Sequence, residues 1–274
     1  IFWIFGQAEI NDRFQVKEMI ARGGMAVVYL AEHIQLNREI ALKILRPPAD
    51  AEDPESFEHR FELEAQTLAQ LDHPNIVTLY DYGETEDGRY FLAMEYVGGP
   101  RISQILRKGP MTPARVLELT EQVCKAVSYA HKKGIVHRDL KPSNLLIRID
   151  EEGNEQVKVV DFGLVKLISE DQAITRAGLI VGSPHCMAPE QVRGQTVDVR
   201  TDLYALGVMM FRGVTGQYPF HGSNPSVILK NIIDNQRNQP HHINPKISIK
   251  LNEVIDNLLQ TSREFEKPIK SVPP

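Results

Sequence analysis

The 274-residue chain has little cysteine, two residues, and few aromatics, 7% with a single tryptophan. Cys124 and Cys186 lie too far apart for a CxxC metal or redox motif. They read as unpaired thiols of a reducing compartment, not as disulfide staples. Positive charge is not in excess either: 31 Lys and Arg against 36 Asp and Glu leave a formal net charge of −5. That balance removes the electrostatic case for nucleic acid, and no such partner is expected. Long apolar runs are missing too. None approaches the roughly 20 residues that span a bilayer, and the N-terminal "IFWIF" is neither a signal peptide nor an anchor. The expectation is a cytoplasmic domain with no membrane segment within this chain. The ends, Ile1 and "KSVPP", read as those of a piece of a longer protein, with any membrane anchor in the flanks. No internal repeat or low-complexity stretch occurs.

What is present is a change of periodicity along the chain. "FQVKEMIAR" (14–22), "VVYLAEH" (27–33) and "REIALKILR" (38–46) are short Val/Ile/Leu-rich runs, which predict strands. "ESFEHRFELEAQTLAQL" sets Phe57, Phe61, Ala65, Leu68 and Leu71 at helical spacing, opened by Asp53–Pro54 and stopped at Pro74. "IVTLYDYGE" and "RYFLAMEYV" follow as strands joined through the turn "TEDG". After "GGP" the pattern turns helical, over 101–108, 113–133, 201–215, 225–236 and 249–260, with a hairpin of "NLLIRI" and "QVKVVDF" between. A strand-rich part and a helix-rich part joined near Glu95–Gly99 predict an α+β, two-lobed fold, with a small-molecule site in the cleft between the lobes. The divisions expected are a flank (1–13), an N-lobe (14–97), a C-lobe (98–262) and a C-terminal end or linker (263–274).

Three stretches carry chemistry. "IARGGMAVVYLA" (20–31), laid on the phosphate-loop frame G-x-G-x-x-G, offers Ala21, Gly23 and Ala26, with Gly24 as an extra glycine. Taken alone it is a working nucleotide loop, a decayed one, or a tight turn between strands. "GIVHRDLKPSNLL" (134–146) packs Asp139, Lys141 and Asn144 within six residues, between an apolar helix and an apolar strand. A carboxylate, an ammonium and a carbonyl ligand so placed suit a reaction that aligns a hydroxyl against a charged group near a metal. Seventeen residues past Asn144, Asp161 of "VVDFG" stands at a strand end, before a glycine that permits sharp redirection. Asp and Asn oxygens are hard ligands that suit Mg²⁺.

With "IALK" and "APE" added in the same order, across residues 14 to about 262, the chain resembles the eukaryotic-type (Hanks-type) protein kinases, most of all the bacterial Ser/Thr kinases. The resemblance implies a bilobal protein-kinase fold and transfer of the ATP γ-phosphoryl group to Ser/Thr hydroxyls of protein substrates. Asp139 would accept or orient the substrate proton, and Lys141 would place positive charge by the transferring group. Asn144 and Asp161 would hold Mg²⁺, with Mn²⁺ as the alternative ion. Lys43 would pair with Glu64 when the N-lobe helix swings in, making a switch. ATP would lie against Ile20, Ala21, Arg22, Gly23, Gly24, Met25 and Ala26, with Val28 and Ala41 above the adenine and Leu146 below. Met94 would close the back, while backbone groups of Glu95 and Val97 read the base edge. Lys141 points to Ser/Thr over Tyr substrates. A phosphate on Thr175 would pair with Arg138 and order the segment between "DFG" and "APE"; otherwise Thr175 is a polar loop residue. Transient self-association for phosphorylation in trans is a habit of the family.

The departures from the family pattern are specific. Val28 and Lys43 fix the register of the loop and make Gly23 its central glycine. An Ala forced to positive φ at 21 or 26 would cost on the order of 1 kcal/mol, so the loop reads as altered but functional. Ser183 stands where Thr is usual and Cys186 where Tyr is common, while Asp202 is kept to brace the catalytic loop. The arginine that usually pairs with Glu190 is missing, leaving Arg263 or Lys267 as substitutes. "RIDEEGNEQ" reads as an acidic surface turn, and His241–His242 as a solvated pair with no further ligands nearby. Two other classes compete: a pseudokinase that binds ATP or acts as a scaffold, and a small-molecule phosphotransferase. "APE" and the long segment before it argue against the latter.

Overall fold

The computed structural model describes residues 9–23, 26–45, 54–162 and 184–260, except the side chains of residues 54–57, 60 and 64. The chain divides into two compact units, Ile1–Gly99 with Leu146–Glu170, and Pro100–Leu145 with Asp171–Pro274. Its architecture is α+β, strand-rich and then helical.

The first unit is built on an antiparallel sheet of six strands: β1 (Glu9–Ile10), β2 (Phe14–Arg22), β3 (Ala26–His33), β4 (Arg38–Leu45), β5 (Leu79–Glu84) and β6 (Tyr90–Glu95). Their spatial order is β1-β2-β3-β4-β6-β5. Side chains alternate between the two faces of a strand. On one face Phe14, Ala31, Ile40, Leu42, Ile44, Phe91 and Ala93 close a core with Ile10 and Val16. On the other, Leu45 and Leu92 pack with Phe61 and Ala65 of helix α1 (Pro54–Ala69). The predicted strand at 76–84 begins only at Leu79, because the residues before it are taken by a second, two-stranded sheet. That sheet is β7 (Leu145–Ile149) paired with β8 (Glu155–Val159). The Val159 N–H donates to Asn75 O at 2.9 Å, and the Val77 N–H to Val159 O at 3.0 Å.

The second unit is helical: α2 (Ile102–Arg107), α3 (Pro113–Lys132), α4 (Pro189–Val192), α5 (Val199–Thr215), α6 (Pro225–Ile233), α7 (Pro240–Ile243) and α8 (Ile249–Leu258). Thr112 caps α3 by accepting the Arg115 N–H, and the helix buries Val116, Leu119, Val123, Ala126, Val127 and Ala130 along one stripe. Helix α5 starts at an Asp198 cap and stops at Gly216 in the left-handed region. It is buried on nearly every side and forms the spine of the core with α6 and α8. The close approach is made possible by Gly207, where a Cβ would sit 2.7 Å from Leu258 Cβ. The helix expected over 225–236 ends at Ile233, since Asn235 takes φ 49° and breaks the ladder.

Candidate active site

Register explains the first unit's contribution. Across the sheet Val28 faces Lys43, Lys43 faces Leu92, and Ala41 faces Met94. Cross-strand partners share a face and alternate residues return to it, so Val28, Ala41, Lys43 and Met94 all project from one side. Ala21 joins them opposite Val28. Val28, Ala41, Met94 and, on β7, Leu146 are only half-buried, whereas Leu42 between Ala41 and Lys43 is fully buried on the core side. The strands thus leave apolar surface uncovered on the face that bears the lysine, as an adenine site requires.

Lys43 is the charge in that face, its side chain 11% exposed. Its ammonium lies 2.6 Å from Oδ1 of Asp161, just past β8. Asp161 holds φ 63°, a sparsely populated conformation for a non-glycine residue. The ion pair and the neighbouring Phe162, 2% exposed, hold it there. Glu64, the partner expected for Lys43, has its side chain outside the described residues.

The glycine-poor loop is less strained than its sequence suggests. Ala21 and Arg22 still pair in the β2–β3 ladder, opposite Val28 and Val27, and Ala26 opens β3. Neither alanine is among the described residues with positive φ, so the cost expected of Ala there does not arise. Ile20, also on β2, is an exposed apolar residue. The Gly23 N–H donates to Ala26 O at 2.9 Å. Among the described residues a Cβ at Gly23 would meet only that oxygen, at an ordinary 3.7 Å. Gly24 and Met25 lie outside the described residues.

In the second unit the short helical turn Pro142–Asn144 folds the catalytic-loop residues onto each other. Lys141 Nζ lies 2.6 Å from Asp139 Oδ2. Asn144 Nδ2 donates to Asp139 O at 2.9 Å and to Asp139 Oδ2 at 3.1 Å. Both partners are acceptors, so the amide nitrogen must face them, and Asn144 Oδ1 is turned away from both. Asp139 is therefore a carboxylate oriented by an ammonium and an amide, and only partly exposed.

Asp202, in the first turn of α5, is the brace expected of it. Its fully buried carboxylate accepts the His137 N–H and the Arg138 N–H, each at 2.9 Å, and lies 2.7 Å from His131 Nε2. Those bonds hold Arg138 at φ 67°. From the other side Gln191 of α4 donates to Arg138 O at 2.8 Å. Glu190 is buried and accepts the Thr201 hydroxyl at 2.6 Å. Cys186 is buried as well, and burial pushes its thiol up to about 12. Thr175, Ser183, Arg263 and Lys267 lie outside the described residues.

One residue escaped the reading of the sequence: Lys158, whose ammonium lies 2.8 Å from Glu95. The signal was there, a charge inside the apolar strand "QVKVV". Among the described residues no helix is long and apolar enough to cross a membrane, and no group of three or more His, Cys, Asp or Glu could hold a metal. The Asn and Asp donors expected for Mg²⁺ are of another kind, a carbonyl and a carboxylate completed by phosphate and water.

Residues 14–265 match the protein kinase domain family. Serine/threonine-protein kinase PrkC of Bacillus subtilis is 45% identical over 225 residues, 81% of this chain and 34% of the relative. Serine/threonine-protein kinase PknB of Mycobacterium leprae is 36% identical over 268 residues, 93% of this chain and 42% of the relative. The chain therefore spans between a third and about two fifths of the length of these curated relatives. The crystal structure of the Mycobacterium tuberculosis PknI kinase domain superposes with a TM-score of 0.71 at 27% identity, covering 94% of this chain and 91% of that one. With the motif residues in their expected order and this match over most of its length, the chain belongs to the protein kinase domain family.

Proposed function

We propose that this domain is a serine/threonine protein kinase that transfers the ATP γ-phosphoryl group to protein hydroxyls. One observation carries the reading above all: Asp139 is oriented by both Lys141 and Asn144. Asp139 takes the proton of the substrate hydroxyl, and Lys141 offers positive charge beside the developing phosphoryl charge. In phosphoryl transfer the protein mainly positions reactants and stabilises charge, so these groups hold most of the catalytic power.

Val28, Ala41, Met94 and Leu146 supply the apolar surface for adenine, and the backbone of Glu95 and Val97 its edge. The segment 20–26 covers the phosphates. At Gly23 the described residues leave room for the close backbone approach that a phosphate would make. Lys43 neutralises phosphate charge, and its exchange between Asp161 and Glu64 is the switch. Asn144 and Asp161 are hard oxygen donors that fit Mg²⁺, or Mn²⁺ in its place. Bound there, the metal would neutralise phosphate charge.

Phosphorylation of Thr175 in trans, paired with Arg138, is the proposed control, through transient self-association. A cytoplasmic location fits an ATP-dependent domain with two free thiols. The relatives' names point to Ser/Thr substrates, in line with Lys141.

Labelled ATP, Mg²⁺ and a generic protein substrate test the proposal, with Asp139→Asn as control. Label should appear on Ser/Thr with the wild type and fall by a factor of at least about 10² in the variant. If the wild type binds ATP yet transfers no more label than Asp139→Asn, the domain is a pseudokinase. Incubating Asp139→Asn with the wild type should place phosphate on Thr175, read by mass spectrometry.

A further inference from the structure

Lys158 sits in β8 between Val157 and Val159, both fully buried, and its own side chain is 8% exposed. Its ammonium ends 2.8 Å from Oε2 of Glu95, the last residue of β6, whose side chain is 11% exposed. The same carboxylate faces Arg148 of β7, 3.4 Å from Oε1, and accepts the Thr78 N–H at 3.4 Å. Both of its oxygens are engaged. The Glu95 backbone is held as well, its N–H donating to Thr78 O at 2.9 Å.

Four residues further on, the chain is fastened a second time. A Cβ at Gly99 would lie 1.7 Å from Ile147 O, so the backbone at 99 rests directly on β7. The stretch from Glu95 to Gly99 is thus tied to the β7–β8 hairpin at both ends, by an ion pair and by a contact only glycine permits. The hairpin does not drift, because Asn75 Nδ2 donates to Val157 O at 2.9 Å and the Asn75–Val77 backbone pairs with Val159.

A buried ion pair is a weak source of stability, since desolvation offsets much of the Coulomb attraction. It does impose a direction and a distance. What it fixes here is the spacing between the 95–97 backbone and Leu146 on β7. Those are the edge and the floor of the nucleotide site proposed above, and the inference rests on that reading. We infer that Lys158 is a positioning residue for ATP: through Glu95 it sets the gap into which the base fits, without touching the nucleotide.

The test compares Lys158→Met and Lys158→Arg with the wild type. The readouts are ATP dissociation constant, KM for ATP, kcat and thermal midpoint. Lys158→Met should weaken ATP binding and raise KM about tenfold, with kcat within about twofold, as loss of uniform binding requires. Lys158→Arg, which keeps the charge, should recover most of the affinity. Should Lys158→Met not fold, Glu95→Gln/Lys158→Met leaves no unpaired buried charge and carries the same expectation. ATP binding within twofold of wild type in the folded methionine variant overturns the inference, as does a loss confined to kcat. If the wild type itself binds no ATP, the nucleotide-site reading fails instead.

Discussion

Removing the Asp202 carboxylate should harm both the stability of the helical unit and its activity. The side chain is fully buried and supports three partners: the His137 N–H, the Arg138 N–H and His131 Nε2. A hydrogen bond to a charged acceptor contributes about 1.5–3 kcal/mol, and each buried N–H left without a partner costs about 1–3 kcal/mol. These contributions overlap, so Asp202→Ala should lose about 3–6 kcal/mol. At about 2–4 °C per kcal/mol for a domain of this size, the thermal midpoint falls by about 6–24 °C. Asp202→Asn keeps the volume but turns one acceptor into a donor that faces a backbone N–H, so it should lose about half as much. The same bonds hold Arg138 at positive φ beside Asp139. Material that is still folded should therefore lose activity, by a factor approaching about 10² if Asp139 shifts by an ångström. Differential scanning calorimetry and initial rates on one sample read both effects. A midpoint within about 2 °C of wild type for Asp202→Ala would falsify the accounting.

Ala21→Gly with Ala26→Gly should bring no gain in kcat/KM, because both alanines sit in strand conformation; stability should fall by about 0.5–1 kcal/mol per site. A clear rise in kcat/KM would show that the alanines do restrain the loop. Gly207→Ala should cost about 1–3 kcal/mol by overpacking, since the new methyl meets Leu258 at 2.7 Å; an unchanged urea midpoint would show that α8 yields freely. Native thiol titration should label Cys124, which is exposed, and reach Cys186 only on unfolding. The Cys186 thiol rises from its ordinary 9.0 to about 12 on burial, so between those values only the unfolded chain gives up the proton. That contribution to stability is complete below pH 9 and shrinks as pH climbs above it. Rapid labelling of both thiols in the native state would contradict the burial.

Much of the local structure could be read directly. Strand β2 spans the same Phe14–Arg22 that alternation and glycine marked out, and α3 and α5 follow their apolar stripes to within two residues. These elements depend on neighbours close in sequence, so periodicity and caps suffice to find them. The Asp139–Lys141–Asn144 set is local for the same reason, with partners no more than five residues apart. Ends were harder. Leu79, rather than Ile76, starts β5 because a distant hairpin claims the backbone at 75–77.

The sequence by itself determined the class of the fold, the order of the motifs and the chemistry each side chain could bring. Only the tertiary structure decided which of them meet. Lys43 and Asp161 are 118 positions apart, Asp202 stands 65 from the His137 amide it holds, and Lys158 stands 63 from Glu95. A strand's alternation states which side chains share a face, but not which face of which neighbour will meet them. Register and close backbone approach settle that, and neither is written in the local pattern. The loop "IARGGMAVVYLA" shows both sides: its missing glycines were plain to read, yet only the β2–β3 ladder reveals that the alanines carry no strain.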